Sequence, residues 1–423
     1  METNDLKTLS LRYHPSVEVG KTSGVRSPPR AQSAAIYVHI PFCATRCHFC
    51  TFAIVTGKLV NHDLMEEYLV ALEKEVAFYA AMLRERRVRI ETIQIGGGTP
   101  TILSTTQLER LFALLFEKLD CSALTEIIVE GFPTTITKDK VNVLARIDCL
   151  KLNIGIQTFN ENNLANVGRK HSLFDAASTV KLAKDSNIKS VGVDIIFGLP
   201  GSDNDDVIND VDTIAALGVD HLALYPLWVY EGTPVERKIH RGDLVRTRLT
   251  GLQRQLATGM GLLAEHRFER YTAFHYTRSE AHKHGYGLWQ MAAREWLGFG
   301  MAAMSYSNGE VVFNERNLGR YIEKVRAGSV DTGSGQRFSR DEEMRFALQY
   351  GLRLRHYPTA PFKDQFGCDI RDAFGPELRY LTERGLITCD DREIDLTSDG
   401  ILMLGAIEKY VTRETSTIAS DET

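Results

Sequence analysis

No apolar run in the 423-residue chain approaches the roughly 18 residues of a membrane span. The start, METNDLKTLSLRYHPSVEVG, lacks the basic-then-apolar pattern of a secretory signal. There is no basic excess either. A net charge of −5 argues against a broad nucleic-acid surface. Cysteine is sparse and odd in number, seven in all, and four of these (121, 149, 368 and 389) are scattered. A disulfide framework is therefore not expected, and a reducing, cytoplasmic compartment is. With 43% hydrophobic and 25% charged residues, the composition is that of a soluble globular chain. The length allows two or more domains.

What is present is concentrated. Residues 41–52 read PFCATRCHFCTF and place Cys43, Cys47 and Cys50 in a C-x3-C-x2-C spacing. Clustered thiols in a reducing compartment read as metal ligands, and thiolate suits zinc or iron–sulfur. A structural zinc takes four protein ligands, and His39 or His48 stands near enough in sequence to supply the fourth. A cubane cluster usually takes four cysteines. With three, one iron keeps an open position, and an open position is where a substrate or cofactor binds. Spacing alone leaves both readings standing.

Residues 1–34 are polar and carry SPPR, which reads as a leader that is loose or lies over the surface. After it, six β-branched runs alternate with helical stretches: AIYVHI (35–40), IETIQIG (90–96), TEIIVEG (125–131), CLKLNIGIQ (149–157), SVGVDIIFG (190–198) and HLALYPL (221–227). Leu64, Tyr68, Leu72, Val76, Tyr79 and Leu83 fall on one helix face, and Ser104 with Gln107 forms a capping-box pattern. Such alternation predicts parallel βαβ units, with chemistry at the C-terminal strand ends. The unusual residues fall there: the cysteines, GGGTP, Glu130, Gln157 and Asp194. Residues 335–423 change to helices plus one hairpin-like stretch, which predicts a small winged-helix-like domain or a cover for the barrel's open side.

C-x3-C-x2-C after a first strand, with an aromatic residue before the last cysteine, resembles the signature of radical S-adenosylmethionine (SAM) enzymes. YVHIPFC, GGGTPT, LNIGIQTF, GRKH, VDIIFGLPG and LGFGMAA together resemble the oxygen-independent coproporphyrinogen oxidase, or HemN-like, family over about residues 35–330. The resemblance implies an α/β fold: a partial (β/α)6 TIM-like barrel at 35–240, an extension closing the active site at 241–334, and a helical domain at 335–423. It also implies a 4Fe-4S cluster on Cys43, Cys47 and Cys50, whose open iron chelates SAM. Reductive cleavage of SAM then gives a 5′-deoxyadenosyl radical. SAM contacts carried over are Tyr37, Gly97, Gly98, Thr99, Glu130, Gln157, Arg169 and Asp194, with Phe49 on the adenine and Tyr225 in the same wall. Some relatives bind a second SAM, which would touch Phe49, Gly98, Thr99, Gln157, Trp228 and Met304. An electron donor of the flavodoxin or ferredoxin kind and a small-molecule substrate follow; nucleic acid and membrane partners do not.

Phe132 stands in EGFP, where relatives have E-x-N-P, which alters the pocket wall at the Glu130 contact. Two further departures bear on the reaction. Phe52 stands where the coproporphyrinogen oxidases carry a further cysteine. HKHGYGLWQ (282–290) lacks the H-N-x-x-Y-W pattern of the haem chaperones. The expectation drawn from these is the class C branch, a two-SAM methylase or cyclopropanase acting on an sp2 carbon of a small planar natural product. A haem- or porphyrin-related enzyme, or a haem chaperone, is the alternative. Among the aromatic residues at 268–306, Tyr271, His275, Tyr276 and Tyr286 are candidates for moving a proton.

Overall fold

A computed structural model describes residues 22–23, 25–330 and 333–414. The six β-branched runs form strands β1 (Ser33–Ile40), β2 (Arg89–Gly97), β3 (Glu126–Gly131), β4 (Leu150–Gln157), β5 (Ser190–Phe197) and β6 (His221–Pro226). They pair in sequence order and all in parallel. Helix α1 (His62–Glu85) starts at Asn61, whose side chain accepts from the Leu64 N–H, and buries Tyr68, Leu72, Val76, Tyr79 and Leu83. Helix α2 (Thr105–Lys118) begins with the expected capping box of Ser104 and Gln107. The fold is thus the α/β barrel-like arrangement anticipated, with strand C-termini converging on one end.

The sheet does not stop at six strands. β7 (His275–Thr277) adds antiparallel to β6, continuing past the last barrel strand. On the other side, β8 (Trp296–Phe299) pairs in parallel with β1. Strands β9 (Met304–Ser307), β10 (Glu310–Phe313) and β11 (Ser334–Arg337) follow antiparallel. The sheet therefore runs through both positions expected as domain limits, 34/35 and 334/335, because neighbouring strands satisfy their backbone groups there.

Residues 1–21 and 24 lie outside the described residues. Thr22–Ser23 pairs antiparallel with β11. The following segment is not loose: the Arg26 side chain is fully buried in an ion pair with Glu75 of α1 and donates to Asn314 Oδ1 at 2.5 Å. Glu75 sits on the buried face of α1 and also accepts from the Tyr321 hydroxyl at 2.6 Å and the Gly300 N–H at 2.7 Å. A carboxylate at that depth requires a cation, and the leader supplies it.

The C-terminal segment has helices at Arg340–Gly351, Thr359–Phe366, Ile370–Glu383, Ser398–Leu402 and Leu404–Val411. A three-stranded antiparallel sheet accompanies them, Tyr357–Pro358 with Glu393–Leu396 with Ile387–Cys389. Phe346 and Tyr350 of its first helix pack on Trp296 of β8, with ring centroids 6.1 and 5.8 Å away. Among the described residues, no helix is long and apolar enough to cross a membrane.

Candidate radical SAM site

The cysteine loop leaves the end of β1. Phe42–Cys43 pairs in parallel with Val55–Thr56 and so ties the loop's two ends together. Arg46 braces it from within, donating to the carbonyls of Cys50 and Ile54 at 3.3 Å each. The GGGTP turn lies against the loop's root: Gly98 N–H donates to Ile40 O and Thr99 N–H to Phe42 O, both at 2.8 Å. A side chain on Gly98 would come within 2.7 Å of both carbonyls. Gly97 has φ +101° and faces the His39 ring, so glycine is required there as well. Thr99 Oγ1 is 3.4 Å from Cys43 Sγ.

The donor set fits an iron–sulfur cluster better than a single ion. Zinc holds sulfurs at ~2.3 Å, so two of its ligands stand no more than ~4.6 Å apart. Among the described residues, the only trio of His, Cys, Asp and Glu ligand atoms all within 4.8 Å of one another is His356, Glu393 and Asp395, not the three thiols. The histidines that spacing offered as a fourth ligand are engaged elsewhere. His39 bonds Tyr37 Oη through Nδ1 and Ala53 O through Nε2, both at 3.0 Å. His48 Nδ1 bonds Asn166 O at 3.0 Å. Burial, reinforced by the neighbouring Cys47, pushes the Cys43 thiol up to about 11 and that of Cys50 to about 12. Crowded, desolvated thiols of this kind ionise when a metal centre compensates them.

The carboxylates expected to meet SAM lie deep. Glu130 accepts from Gln94 Nε2 at 2.5 Å and from Gly97 N–H at 3.3 Å. Burial, with repulsion from Asp194, raises it to about 7. Asp194 is raised to about 6 by burial, against a hydrogen bond from Asn153 and the nearby charge of Arg169. Arg169 donates to Gly155 O and, at 3.3 Å, to Cys47 Sγ. Gln157 takes a positive φ of +80° at the end of β4, a backbone state uncommon outside glycine.

Two adjoining cavities share Gln94 and Glu130. The inner one also meets Asn153, Asp194, Tyr225, Tyr271, His275 and His284. The outer one has an apolar wall of Tyr37, Phe52, Tyr286, Met304 and Phe313, with Arg316 beside it. Phe49 and Trp228 line neither cavity. Phe49 packs with Leu199, Leu227 and Val235. Trp228 packs on Phe274 and Tyr225, with centroids 5.1 and 5.9 Å away. Met304 and Trp228, paired in sequence reasoning as second-SAM contacts, therefore occupy different surroundings.

The proton-transfer candidates separate. Tyr276 lines neither cavity. Tyr286 lies in the outer one. Tyr271 is pinned by His221 Nε2 at 2.7 Å and the His284 N–H at 3.1 Å. His275 is the most defined. Thr272 Oγ1 accepts from Phe274 N–H (3.2 Å) and His275 N–H (3.0 Å), so its proton goes to His275 Nδ1 at 2.7 Å. His275 Nε2 then carries the ring proton and donates to Tyr225 Oη at 2.9 Å. Burial keeps this ring neutral, its pKa lowered to about 4.

Sequence reasoning missed Gln94, Asn153, His221 and Arg316. For Gln94 and Asn153 the signal was there: each is a polar residue inside an apolar strand, in IQI and LNI.

Residues 37–214 match the profile of the Radical SAM superfamily. The chain has the α/β radical SAM fold. Residues 338–403 match the HemN C-terminal domain. The haem chaperone HemW of Bacillus subtilis is 27% identical over 370 residues, covering 87% of the chain and 96% of that protein. The oxygen-independent coproporphyrinogen III oxidase of Escherichia coli K12 is 28% identical, with 90% and 85% covered. The crystal structure of coproporphyrinogen III oxidase (HemN) from Escherichia coli shares the fold, with TM-score 0.76, 22% identity, and 98% and 94% covered. The match of residues 37–214 to the Radical SAM superfamily implies a 4Fe-4S cluster and SAM. The cysteine loop, the GGGTP turn and the paired carboxylates are the residues that would hold them.

Proposed function

We propose that this radical SAM chain acts on a tetrapyrrole or a related conjugated acid, in the haem branch of its relatives and not as the natural-product methylase that the sequence departures favoured. The observation that carries this reading is likeness along nearly the whole chain to proteins named for haem and coproporphyrinogen. The outer cavity is compatible with it: a flat ring system would lie on Tyr37, Tyr286 and Met304 and leave an acidic edge for Arg316. The cluster and SAM, when bound, supply a 5′-deoxyadenosyl radical. The chain's own part is to hold the methionine end near Gly97, Gly98 and Glu130, to fix Arg169, and to present Tyr225 through His275.

One observation favours the second reading, transfer of a methyl-derived carbon from a second SAM to an sp2 carbon. Phe52 puts an apolar, 45% exposed ring at the position where coproporphyrinogen oxidases resemble one another in having cysteine. Anaerobic turnover with methyl-deuterated SAM tests both. The expected result is 5′-deoxyadenosine formed in step with consumption of haem or coproporphyrinogen III. Turnover indifferent to both tetrapyrroles, but driven by a small planar aromatic and yielding deuterated 5′-deoxyadenosine, would reverse the order of the two readings. Tight haem binding with no turnover would assign the chain to the chaperones.

A further inference from the structure

Four polar side chains rise in steps along the ends of β2 to β5. Gln94 lies opposite Ile128 in register, so Glu130 stands one step further along the neighbouring strand. Asn153 lies opposite both Glu130 and Gly192, so Asp194 again stands one step further. Strand residues two apart share a face, and all four side chains line the inner cavity. Amide and carboxylate thus alternate: Gln94, Glu130, Asn153, Asp194.

Each amide serves the carboxylate one step beyond it. Gln94 Nε2 donates to Glu130 Oε1 at 2.5 Å, and Gly97 N–H holds Oε2 at 3.3 Å. A Cβ on Gly96 would come within 2.6 Å of the Glu130 carboxylate carbon, so bare backbone makes room for it. The Asn153 side chain donates to Asp194. Asn153 Oδ1 would meet a Cβ on Gly192 at 2.7 Å, and among the described residues it has no hydrogen-bond partner. Burial raises both carboxylates, and Asp194 adds repulsion on Glu130; the two amides act against this, favouring the ionised forms.

We propose, on the SAM contacts expected of Glu130 and Asp194, that Gln94 and Asn153 are positioning residues holding these carboxylates as aimed acceptors for the amino and ribose hydroxyl groups of SAM. Which substrate the protein takes does not enter. The other groups facing the pair keep one charge state between about pH 6 and 8.5. Burial keeps Tyr37, Tyr271 and Tyr286 protonated. It also keeps His39, His275 and His284 neutral. Tyr225 takes its hydrogen bond from His275, and Arg169 and Arg316 carry the fixed charge of arginine. The amino group of SAM titrates near pH ~8 against every variant alike. A pH effect that differs between variants therefore reports on the carboxylates.

The test is the Kd for SAM of the reconstituted protein, read by calorimetry across that pH range. Gln94→Met and Asn153→Leu keep bulk and remove the donor. Glu130 is raised to about 7 even with Gln94 in place, so wild-type affinity should fall as pH drops through that value. Without the donor the fall begins at higher pH. Gln94→Met should bind SAM about tenfold more weakly than wild type near pH 6, and the gap should close to about twofold near pH 8.5. Asn153→Leu should show the same trend, displaced to lower pH because Asp194 is raised only to about 6. The two positions lie on separate strands, so either variant alone decides. A gap that stays constant with pH, or no gap, would overturn the proposal, since lost packing does not titrate. Glu130→Gln separates the two levels. If it leaves the Kd unchanged, the SAM contact fails and the positioning role with it. If it weakens SAM while Gln94→Met and Asn153→Leu match wild type, only the positioning role fails.

Discussion

The guanidinium of Arg169 lies over the ring of Phe132, 4.1 Å from its centroid. Phe132 is the residue that departs from the E-x-N-P pattern, and the contact gives the departure a purpose. An amide at this position would offer a hydrogen bond; the ring offers a π face that holds the cation in place while it donates to Cys47 Sγ.

Replacing Phe132 with Leu keeps bulk and removes the face. The loss is about 1 kcal/mol, which corresponds to a roughly fivefold weaker Kd for SAM in the reconstituted protein. Calorimetric titration reads this directly. An unchanged Kd would mean that the ring only fills space.

Substituting Ala for Cys43, Cys47 or Cys50 should remove iron and the visible absorbance of the reconstituted protein. Substituting Cys121 should leave both intact, since it is partly buried beside Leu115 O, away from the loop. Iron analysis decides, and a Cys43 variant that keeps full iron would refute the ligand assignment.

Glu130 makes stability depend on pH in a particular direction. Its folded pKa is raised to about 7 from 4.5 by burial and by Asp194. Between those values the folded state holds a proton that the unfolded state has released, so its contribution is fully present at low pH and fades as pH rises through about 7. The metal-free Glu130→Gln variant should therefore melt like the wild type near pH 5 and above it at pH 8, by an amount on the order of 2–3 kcal/mol. Differencing against wild type is essential, because His39, His171 and His275, lowered to about 4 by burial, favour the opposite trend. A constant melting difference across that range would contradict the assignment.

Arg26→Ala should destabilise the protein by about 3–5 kcal/mol, since it leaves Glu75 charged and unpaired in the interior. The double variant Arg26→Met/Glu75→Gln should recover much of this. Urea denaturation of the three proteins separates an unpaired charge from lost packing: no recovery in the double variant would point to packing.

The six barrel strands were legible because each is a short β-branched run bounded by helical periodicity, and β2 and β3 show it plainly. The cysteine loop was legible because its spacing is local. Arg26 was not, because its partner Glu75 is 49 residues away and a lone arginine in a polar leader carries no periodic signal. β8 was missed as a partner of β1 for the same reason: the four residues WLGF record nothing about a strand some 260 residues earlier. Phe49 and Trp228 were placed by resemblance, and the structure shows them packed against Val235 and Phe274.

The pairing of β1 with β8 has a consequence for biogenesis. The strand from which the cysteine loop hangs receives one neighbour from residues 89–97 and the other only from residues 296–299. Chain synthesised early must wait for chain synthesised late before its edge is closed. Iron delivery to the nascent protein thus has a natural checkpoint: the cradle is finished only when most of the polypeptide has left the ribosome.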